Sequence, residues 1–323
     1  MANDPGATFR ALHRKGAPFV MANVWDAGTA RLLESLGIQA LATSSAAHAY
    51  TLGRTDGGTL TLQEALDHAA LIAASVALPV QGDFENGFAK EPEAMADVVR
   101  LAAEAGLAGI CIEDTDLPGS EAYPRDLAAE RIRAAVDAAR GLDRDFVLTA
   151  RADGVLRGSY GVQEAIKRLK LFEAAGADCL YVPMPGTMDD LRLICDSVTA
   201  PVNALVAGHF TTQSMEDFAD AGVARLSLGS ALARAFQRSA MDIATDMLER
   251  GRFVSLGRAA SGSEVDALIE RKDQVVIPDV MAEPDVSPAS PDEPAETIEE
   301  PTQVPAPATT PPDPDTKESD GSA

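Results

Sequence analysis

The chain has 323 residues, with 27 Lys and Arg against 50 Asp and Glu, which gives a formal net charge of −23. A nucleic-acid binder needs a basic surface, and this chain has no run of Lys or Arg, so the charge argues against nucleic acid. The apolar runs fall far short of the roughly 20 residues of a membrane helix, and the first residues do not resemble a signal peptide. The three cysteines lack metal-ligand spacing, which suits a reducing cytoplasm.

Residues 1–255 alternate short apolar runs with amphipathic stretches, which predicts a catalytic domain of eight strand–helix units. The predicted strands are Phe19–Ala22, Ala40–Thr43, Val80–Asp83, Gly109–Glu113, Phe146–Arg151, Cys179–Val182, Val202–Val206 and Arg225–Leu228. The predicted helices are Ala27–Leu36, Leu62–Ser75, Glu91–Ala105, Asp126–Ala139, Val162–Ala175, Met188–Ser197, Met215–Ala221 and Ala231–Glu249. Eight units over about 240 residues favour an α/β fold of the (β/α)8 TIM-barrel type over an open sheet. No Gly-x-Gly-x-x-Gly follows the first strand, which argues against a dinucleotide fold.

Two segments are predicted to follow the barrel. Residues 256–273 would form a helical extension, with a capped amphipathic helix over Ser261–Lys272. Residues 274–323 contain 12 Asp and Glu, one Lys and 11 of the chain's 20 prolines. Such a segment cannot bury enough apolar surface to offset its ordering entropy, so it predicts a disordered acidic tail. The tail is either a solubilising extension or an arm for a partner protein.

Polar side chains follow five of the eight predicted strands. They are Ser44 and Ser45 after the second strand, Asp83 and Glu85 after the third, Glu113 after the fourth, Arg151 after the fifth, and Asn203 on the seventh, while Asp56 lies in the loop beyond the second. A barrel enzyme carries its chemistry at the carboxyl ends of its strands, so we expect these residues to meet at one rim. An isolated Asp is more often a helix cap or a solvated loop residue, but the joint pattern favours a site.

Four of these residues are carboxylates that would share a small volume: Asp56, Asp83, Glu85 and Glu113. Four carboxylates do not stay ionised together without a cation or raised pKa values. A hard divalent ion that prefers oxygen ligands, Mg²⁺ or Mn²⁺, resolves this conflict. Arg151, at the neighbouring strand end, would supply the opposite charge for an anionic substrate.

Seven motifs carry a resemblance to a known family over roughly residues 8–250. They are Asn23–Leu33, Ala42–Ala46, Leu52–Asp56, Gly82–Phe88, Ile112–Asp114, Thr149–Asp153 and Pro201–Leu205. In this order and spacing the set resembles the isocitrate lyase/phosphoenolpyruvate mutase superfamily, and in particular its carboxyphosphonoenolpyruvate phosphonomutase-like members. The superfamily's Asp-x-Asp/Glu-x-Gly-[Tyr/Phe] motif is matched by Asp83, Glu85, Gly87 and Phe88.

The resemblance implies roles for individual residues. Asp83 would bind Mg²⁺ most directly, and Asp56, Glu85 and Glu113 would act through ordered waters. Ser44, Ser45 and Ala46 would hold the substrate carboxylate, Trp25 would line the pocket, and Arg151 would contact the oxo acid oxygens. Enzymes of the superfamily make or break a bond to C3 of small 2-oxo or 2-hydroxy acids through a pyruvate enolate. The resemblance also implies a homodimer or homotetramer.

The loop after the fourth strand, Thr115–Pro124, departs from the superfamily's pattern. The C–C lyases carry Lys-[Lys/Arg]-Cys-Gly-His there, and the phosphonate enzymes use a Lys and an Asn. This loop has no Cys, His, Lys or Asn. Cys111 lies inside the fourth strand, where core packing is its expected role. The position after the sixth strand that often carries His reads Val182–Pro185, a further departure.

Enolate-stabilising residues without a loop acid favour decarboxylation of a 3-carboxy-2-oxo acid, or a lyase that takes its proton from Tyr123, Tyr50, His48 or water. The candidate catalytic residues are therefore Arg151, Glu113, Tyr123 and His48. His209, after the seventh strand, is a further candidate at the same rim and joins Asn203 as a candidate for substrate binding. For both histidines, a loop residue bonded to backbone is the commoner case. His13 and His68 lie on predicted surface helices and are assigned no role.

The sequence thus favours a cytoplasmic Mg²⁺-dependent lyase that acts on a small 2-oxo or 2-hydroxy di- or tricarboxylic acid. One alternative is a phosphonate-processing mutase or hydrolase of the same superfamily. Another is a non-catalytic barrel that serves as a binding or scaffold protein, with the acidic tail engaging a partner. Release of pyruvate or CO₂ from a panel of oxo acids would separate the enzyme from the scaffold.

Overall fold

The computed structural model describes residues 4–270, so the predicted acidic tail and the last residues of the helical extension lie outside the described residues. Eight parallel strands form a closed barrel in which each strand pairs with the next and β8 pairs with β1. The strands are β1 (Phe19–Asn23), β2 (Ala40–Ala42), β3 (Val80–Asp83), β4 (Gly109–Glu113), β5 (Val147–Arg151), β6 (Cys179–Tyr181), β7 (Val202–Leu205) and β8 (Arg225–Ser227).

Helices surround the barrel, as the alternating pattern predicts. They are α1 (Pro5–Leu12), α2 (Ala27–Ser35), α3 (Ser45–Thr51), α4 (Leu62–Ser75), α5 (Met95–Glu104), α6 (Arg125–Arg140), α7 (Gly154–Arg157), α8 (Val162–Ala174), α9 (Met188–Ser197), α10 (Met215–Asp220), α11 (Ala231–Arg250) and α12 (Gly262–Ile269). The prediction of a (β/α)8 barrel is confirmed. None of the helices formed by residues 4–270 combines the length and the apolar character of a membrane span.

Two apolar layers hold this architecture together. The larger lies between the strands and the surrounding helices, where Phe84, Phe146 and Phe172 are almost fully buried. The smaller fills the interior of the barrel at its amino-terminal end and includes Phe9, carried there by α1, and Phe19 of β1. Because the lower half of the barrel is packed, polar chemistry has room only at the carboxyl-terminal end.

Helix α1 closes the amino-terminal end of the barrel and was not predicted. Asp4 caps it by accepting hydrogen bonds from the backbone N–H groups of Gly6 and Ala7, and Pro5 occupies its first turn. Gly6 lies so close to the barrel that a Cβ would come within 1.8 Å of the carbonyl oxygen of Asp145. Glycine is therefore required for α1 to seat against the start of β5.

Helix α3 contains Ser45, Ala46 and His48, so His48 is a helix residue and not the loop residue that the sequence indicates. Ser44 is the N-cap residue, with its hydroxyl accepting from the N–H of Ala47, and the helix begins at Ser45. The residues from Ala46 to Ala49 are all buried, so the segment has no alternation of polar and apolar faces. Without that periodicity the sequence gives no helix signal.

The described part of the chain ends just beyond α12, within the predicted helix Ser261–Lys272. Ser261 and Glu264 form a reciprocal capping box at its start, as the sequence indicates. The helix packs against α2, and the hydroxyl of Ser35 donates to the carbonyl of Leu268. The extension thus returns to the barrel wall beside β2.

Candidate active site

A cavity of about 120 Å³ opens at the carboxyl-terminal ends of the strands, where the sequence places a site. All four carboxylates predicted to hold a metal line it, and so do Ser44, Ser45, Ala46 and Arg151. The other lining residues are Gly57, Leu117, Leu156, Arg157, Tyr181, Leu205, Gly229 and Ser230. The barrel therefore brings together residues that are more than 180 positions apart in sequence.

The strand register explains why three of these side chains are neighbours. Glu113, Arg151 and Tyr181 are the last residues of β4, β5 and β6, and the backbone pairing sets them directly side by side. In-register residues of parallel strands point to the same face of the sheet, here the barrel interior. Each side chain is largely buried, and the Arg151 guanidinium lies 5.4 Å from the centre of the Tyr181 ring.

Asp83, the last residue of β3, contacts the start of α3. Its Oδ2 accepts hydrogen bonds of 2.9 Å from both the backbone N–H and the hydroxyl of Ser45. Its own N–H donates to the Thr43 hydroxyl at 2.8 Å, which fixes the end of β3 against β2. The predicted metal ligand and the predicted substrate-binding serine are therefore direct neighbours.

Asp56 and Glu85 are two cavity acids without a basic partner, because no described Arg or Lys forms a salt bridge with either of them. Glu85 adopts a left-handed backbone conformation with φ of 45°, and its Oε1 accepts the N–H of Gly58 at 3.2 Å. Burial raises the pKa of Glu85 to about 7, and Asp83 and Asp56 add to the rise. Burial, followed by the charge of Asp83, also raises the pKa of Asp56. The cavity thus concentrates negative charge at a free-energy cost that a cation would relieve.

The carboxylates fit a divalent ion that keeps most of its waters. Among residues 4–270, no three His, Cys, Asp or Glu side chains converge closely enough to form a metal cage on their own. Mg²⁺ usually binds through one or two carboxylates and retains several waters, so a ring of acids around a cavity suits it better than a tight cluster. That arrangement agrees with one direct ligand and three acids acting through water.

Asp153 joins two arginines at the other side of the cavity. Its side chain is fully buried; its Oδ1 accepts from Nε of Arg151 and its Oδ2 from Nε of Arg157, each at 2.6 Å. Glu113 contacts the same two guanidinium groups, at 3.5 Å from Arg151 Nη1 and 3.1 Å from Arg157 Nη2. Burial raises the pKa of Glu113, while Arg151 and Arg157 oppose that rise. The result is a buried network of two cations and two acids.

A second buried network supports this one from behind. Asp114 accepts the backbone N–H of Asp153 at 2.8 Å, the hydroxyl of Tyr160 at 2.7 Å and Nη1 of Arg168 at 3.0 Å. The Arg168 guanidinium also lies 4.6 Å from the centre of the Tyr160 ring. Asp114 follows Glu113 directly but does not line the cavity, so its place in the structure is to fix the backbone that carries Asp153.

Two candidate catalytic residues are not part of the lining of the carboxylate cavity. Tyr123 lines an adjoining cavity of about 320 Å³, which shares Glu85 and Leu117 with the first, and its hydroxyl accepts from Nδ2 of Asn86 at 3.0 Å. His48 is buried in α3 and stacks on His68 of α4, with ring centroids 3.8 Å apart. Burial lowers the pKa of His48 to about 4, which keeps its ring neutral at pH 7. The barrel thus brings neither Tyr123 nor His48 into the lining of the carboxylate cavity, and their catalytic roles stay predictions.

Three candidate binding residues also lie outside the cavity lining. Trp25 lines an open groove with Phe236 of α11, and the two rings meet edge to face at 5.0 Å. Asn203 lies below the cavity in the barrel interior, where it bonds to Arg225 and Ser227. His209 is exposed on a 3₁₀ turn, Gly208–Thr212, after β7. None of the three is among the residues that line the carboxylate cavity, although Asn203 lines a smaller cavity that shares Asp83, Arg151 and Tyr181 with it. Their roles in substrate binding stay predictions.

Arg157 and Tyr181 line the cavity but were not predicted from sequence. Arg157 lies in a stretch rich in glycine that gives no helix signal, although a second arginine six residues after Arg151 was a usable clue. An aromatic residue at a strand end is more often part of the core. Only the register between β5 and β6 places Tyr181 beside Arg151.

Comparison with known proteins agrees with this architecture. Residues 9–248 match the family model described as phosphoenolpyruvate phosphomutase. A solved structure from Burkholderia cenocepacia J2315, named as a lyase/mutase, is 40% identical and superposes with a TM-score of 0.80 over 83% of this chain and 96% of that one.

Two curated relatives have named activities. An oxaloacetate decarboxylase from Paraburkholderia xenovorans is 37% identical over 198 residues, which span 58% of this chain and 63% of the relative. A 2-methylisocitrate lyase from Aeropyrum pernix is 29% identical over 252 residues, which span 76% of this chain and 81% of the relative. The relatives thus include both decarboxylases and C–C lyases.

Proposed function

The chain belongs to the phosphoenolpyruvate phosphomutase family, within the isocitrate lyase/phosphoenolpyruvate mutase superfamily, and from that premise we propose that this enzyme is a Mg²⁺-dependent lyase. The reaction that fits the site best is decarboxylation of a small 3-carboxy-2-oxo acid, for which oxaloacetate is the simplest substrate. The C–C lyases of the superfamily are the broader class to which this reaction belongs. A phosphonate substrate is less well supported, because the loop Thr115–Pro124 lacks the Lys and Asn of the phosphonate enzymes.

One observation carries the choice of decarboxylation. The described residues that line the cavity include four acids and two arginines but no Cys, His or Lys. Cleavage of a 2-hydroxy acid into a carbonyl compound and a carbanion requires two proton transfers, one from the hydroxyl group and one to the carbanion, whereas decarboxylation of an oxo acid requires only the second. Decarboxylation releases CO₂, which leaves without a proton, so the residues present are sufficient.

We propose the following roles for the chain's own residues. Asp83, with Asp56, Glu85 and Glu113 through water, would hold Mg²⁺. When bound, the ion would act as a Lewis acid on the oxygens of the oxo acid. Arg151 would hold the same end of the substrate by charge-assisted hydrogen bonds. The hydroxyl of Ser44 and the backbone N–H of Ala46 would orient the carboxylate next to the oxo group, while Ser45 positions Asp83 through its own two donors.

Bond changes then follow from this positioning. The C3–C4 bond of the oxo acid breaks, its electron pair moves into the C2–C3 bond to give the enolate of pyruvate, and CO₂ leaves. The enolate takes a proton at C3 to give pyruvate. We propose Tyr181 as the proton donor, because it lines the cavity beside Arg151 whereas Tyr123 and His48 do not. Leu117, Leu156 and Leu205 would limit the access of water to the enolate.

Pyruvate release tests the proposed reaction. Purified full-length protein with Mg²⁺ should form pyruvate from oxaloacetate faster than Mg²⁺ alone, and EDTA should abolish the difference. The panel should also contain 2-methylisocitrate, malate analogues and phosphonopyruvate. The Asp83→Asn variant should lose about 100- to 1,000-fold in kcat, as expected when one preorganised charge is removed from a site. Asp189→Asn, at a solvent-exposed position on α9, is the matched control.

Two outcomes contradict the proposal. If no acid in the panel releases pyruvate or CO₂, the lyase assignment is wrong and a binding or scaffold role takes its place. If Asp83→Asn keeps wild-type turnover, Asp83 does not hold the ion. A phosphonate activity would appear as pyruvate or phosphoenolpyruvate formed from phosphonopyruvate alone.

We also propose that the enzyme is a homodimer or homotetramer, as the family resemblance implies. Helix α11 and the segment after it expose several large apolar side chains: Phe236, Met241, Leu248, Phe253 and Val254. Leu248 is 85% exposed and Val254 is 79% exposed. Apolar residues exposed together usually mark an interface. Light scattering after size exclusion should give a dimer or tetramer for the wild type and a smaller species for Leu248→Glu.

A further inference from the structure

Arg157 is a second basic residue in the cavity, and one of its guanidinium nitrogens, Nη1, has no acceptor among the described residues. It ends α7, which stops at Gly158 in a left-handed conformation with φ of 74°. Its Nε donates to Asp153 Oδ2 at 2.6 Å and its Nη2 donates to Glu113 Oε1 at 3.1 Å. Among residues 4–270, Nη1 has no protein acceptor, and the side chain is 26% exposed. Two of the three guanidinium nitrogens therefore fix the group and the third is available to a ligand.

The two arginines of the cavity contact the same two acids, Asp153 and Glu113. Asp153 accepts from Nε of both side chains, one on each carboxylate oxygen, so it holds the guanidinium groups apart as well as neutralising them. Arg151 lies at the end of β5 beside Tyr181, whereas Arg157 lies one helical turn beyond it, on α7. The described lining residues include no Lys or His, so these two arginines are the cations that a substrate anion meets there.

We propose that Arg157 forms a second anion subsite, which selects substrates that carry a charged group beyond C3. The inference rests on the proposed function, because it assigns the far end of the substrate within the same cavity. Arg151 would hold the oxo acid end, and Nη1 of Arg157 would donate to the distal carboxylate. An acid with an uncharged end would leave that donor without a partner and would therefore bind more weakly. In a decarboxylation, the distal carboxylate is the group that leaves.

The opposing interpretation is that Arg157 only neutralises Asp153 and Glu113. Under that interpretation its loss would perturb the whole cavity, including the end held by Arg151. Under ours, its loss would weaken only ligands long enough to reach it. A pair of ligands that differ in length separates the two interpretations.

Calorimetric titration of the full-length protein in saturating Mg²⁺ provides the test. The probes are oxalate, which has two carbons and mimics the enolate end, and 3,3-difluorooxaloacetate, which adds the distal carboxylate. In Arg157→Gln, we expect the Kd for 3,3-difluorooxaloacetate to rise by roughly 10- to 100-fold, the effect of one charge-assisted hydrogen bond. The Kd for oxalate should change by less than about 3-fold. Arg157→Lys keeps the charge and should recover part of the lost affinity.

Arg100→Gln is the matched control, because Arg100 is exposed on α5 and pairs only with neighbours on its own helix among the described residues. It should change neither Kd. If Arg157→Gln weakens both probes equally, Arg157 acts through Glu113 and Asp153, and the subsite is refuted. If it weakens neither, Arg157 does not contact the ligand, and the subsite is again refuted. Both results leave the proposed lyase standing, whereas a wild type that binds neither probe overturns the lyase together with the subsite.

Discussion

Arginine side chains lie at both ends of the barrel, but the groups to which they donate hydrogen bonds differ between the two ends. At the amino-terminal end, Arg225 is fully buried and meets neutral acceptors: Asn203 Oδ1 and Gln81 Oε1 at 2.8 Å, and His13 Nε2 at 3.1 Å. At the carboxyl-terminal end, Arg151 and Arg157 meet acids and border a cavity.

This difference suggests a division of roles, in which the arginine of the amino-terminal end stabilises the fold and those of the carboxyl-terminal end are placed to bind a ligand. Arg225 donates four hydrogen bonds to side chains inside the barrel and also lies 5.8 Å from the centre of the Phe9 ring. Four of its five N–H donors are therefore engaged within the fold, and its side chain is not exposed to a ligand. Arg157 has one guanidinium nitrogen without a partner among the described residues, and burial raises the pKa of Glu113, which Arg157 contacts. An unpartnered donor beside an acid of raised pKa, both lining one cavity, is the kind of feature that marks a functional site.

The largest expected effect is on stability, at the amino-terminal end. Arg225→Met should lower the free energy of unfolding by about 3 kcal/mol, because several buried acceptors lose their donor and each unsatisfied group costs about 1 kcal/mol or more. The folded fraction should keep turnover within about 3-fold. Urea denaturation at fixed protein concentration measures the first quantity and pyruvate release the second. If Arg225→Met had normal stability but no activity, Arg225 would serve catalysis and not stability, which contradicts the prediction.

The next effect is on catalysis, at the carboxyl-terminal end. Tyr181→Phe removes the hydroxyl beside Arg151 and should lower kcat by about 10- to 100-fold, a range set by the loss of a positioned proton donor. Its urea midpoint should stay near the wild-type value, since the ring is retained. Tyr123→Phe is the matched control, because Tyr123 lies in the neighbouring cavity. Equal loss in both variants would show that the geometry does not decide the donor.

The smallest effect concerns pH and returns to the amino-terminal end. His13 donates from Nδ1 to the carbonyl of Phe9 and accepts from Arg225 at Nε2, so the folded state holds a neutral ring. Burial, and then the charge of Arg225, lowers the pKa of His13 from 6.5 to about 3. Between pH 6.5 and about 3, His13 is protonated in the unfolded chain but remains neutral in the folded chain. Stability is therefore complete above pH 6.5 and is lost as pH falls toward 3.

Comparison with His13→Gln isolates this contribution from that of the carboxylates. Between pH 6.5 and 4.5 the wild type should lose about 1 kcal/mol more unfolding free energy than the variant, a value reduced because the ring is only partly shielded from solvent. Urea midpoints of both proteins at matched pH supply the measurement. If the unfolding free energies of the two proteins change equally with pH, the folded state does not lower the pKa of His13.

The sequence predicted the barrel almost completely, because its strands and helices carry independent local signals. β3 and β4 have the predicted bounds, and α4 and α9 do as well. The helices that the sequence missed, α1, α3 and α7, are short and take their stability from tertiary contacts. Such elements have no periodic pattern of their own.

The candidate site was predictable in its acids and less so in its other residues. Asp83 and Glu113 are charged strand-end residues, and charge at such a position is rare unless it has a use. Closeness in sequence to site residues predicts His48 and Tyr123 as candidates, but His48 stacks on His68 and Tyr123 lines the adjoining cavity. The register between neighbouring strands decides which side chains meet, and register is a property of the closed barrel that no single segment encodes.

The segment from Arg151 to Tyr160 has a consequence for how such enzymes diversify. Within ten residues it carries both cavity arginines, the aspartate that spaces them and the tyrosine whose ring lies against Gly154. It is anchored to the barrel at one end by β5 and from behind by Asp114. The proposed anion-binding residues are therefore contiguous in sequence. Transplanting this decapeptide together with Asp114 into a related barrel should transfer the proposed preference for doubly charged acids, without changes to the acids proposed to hold the metal.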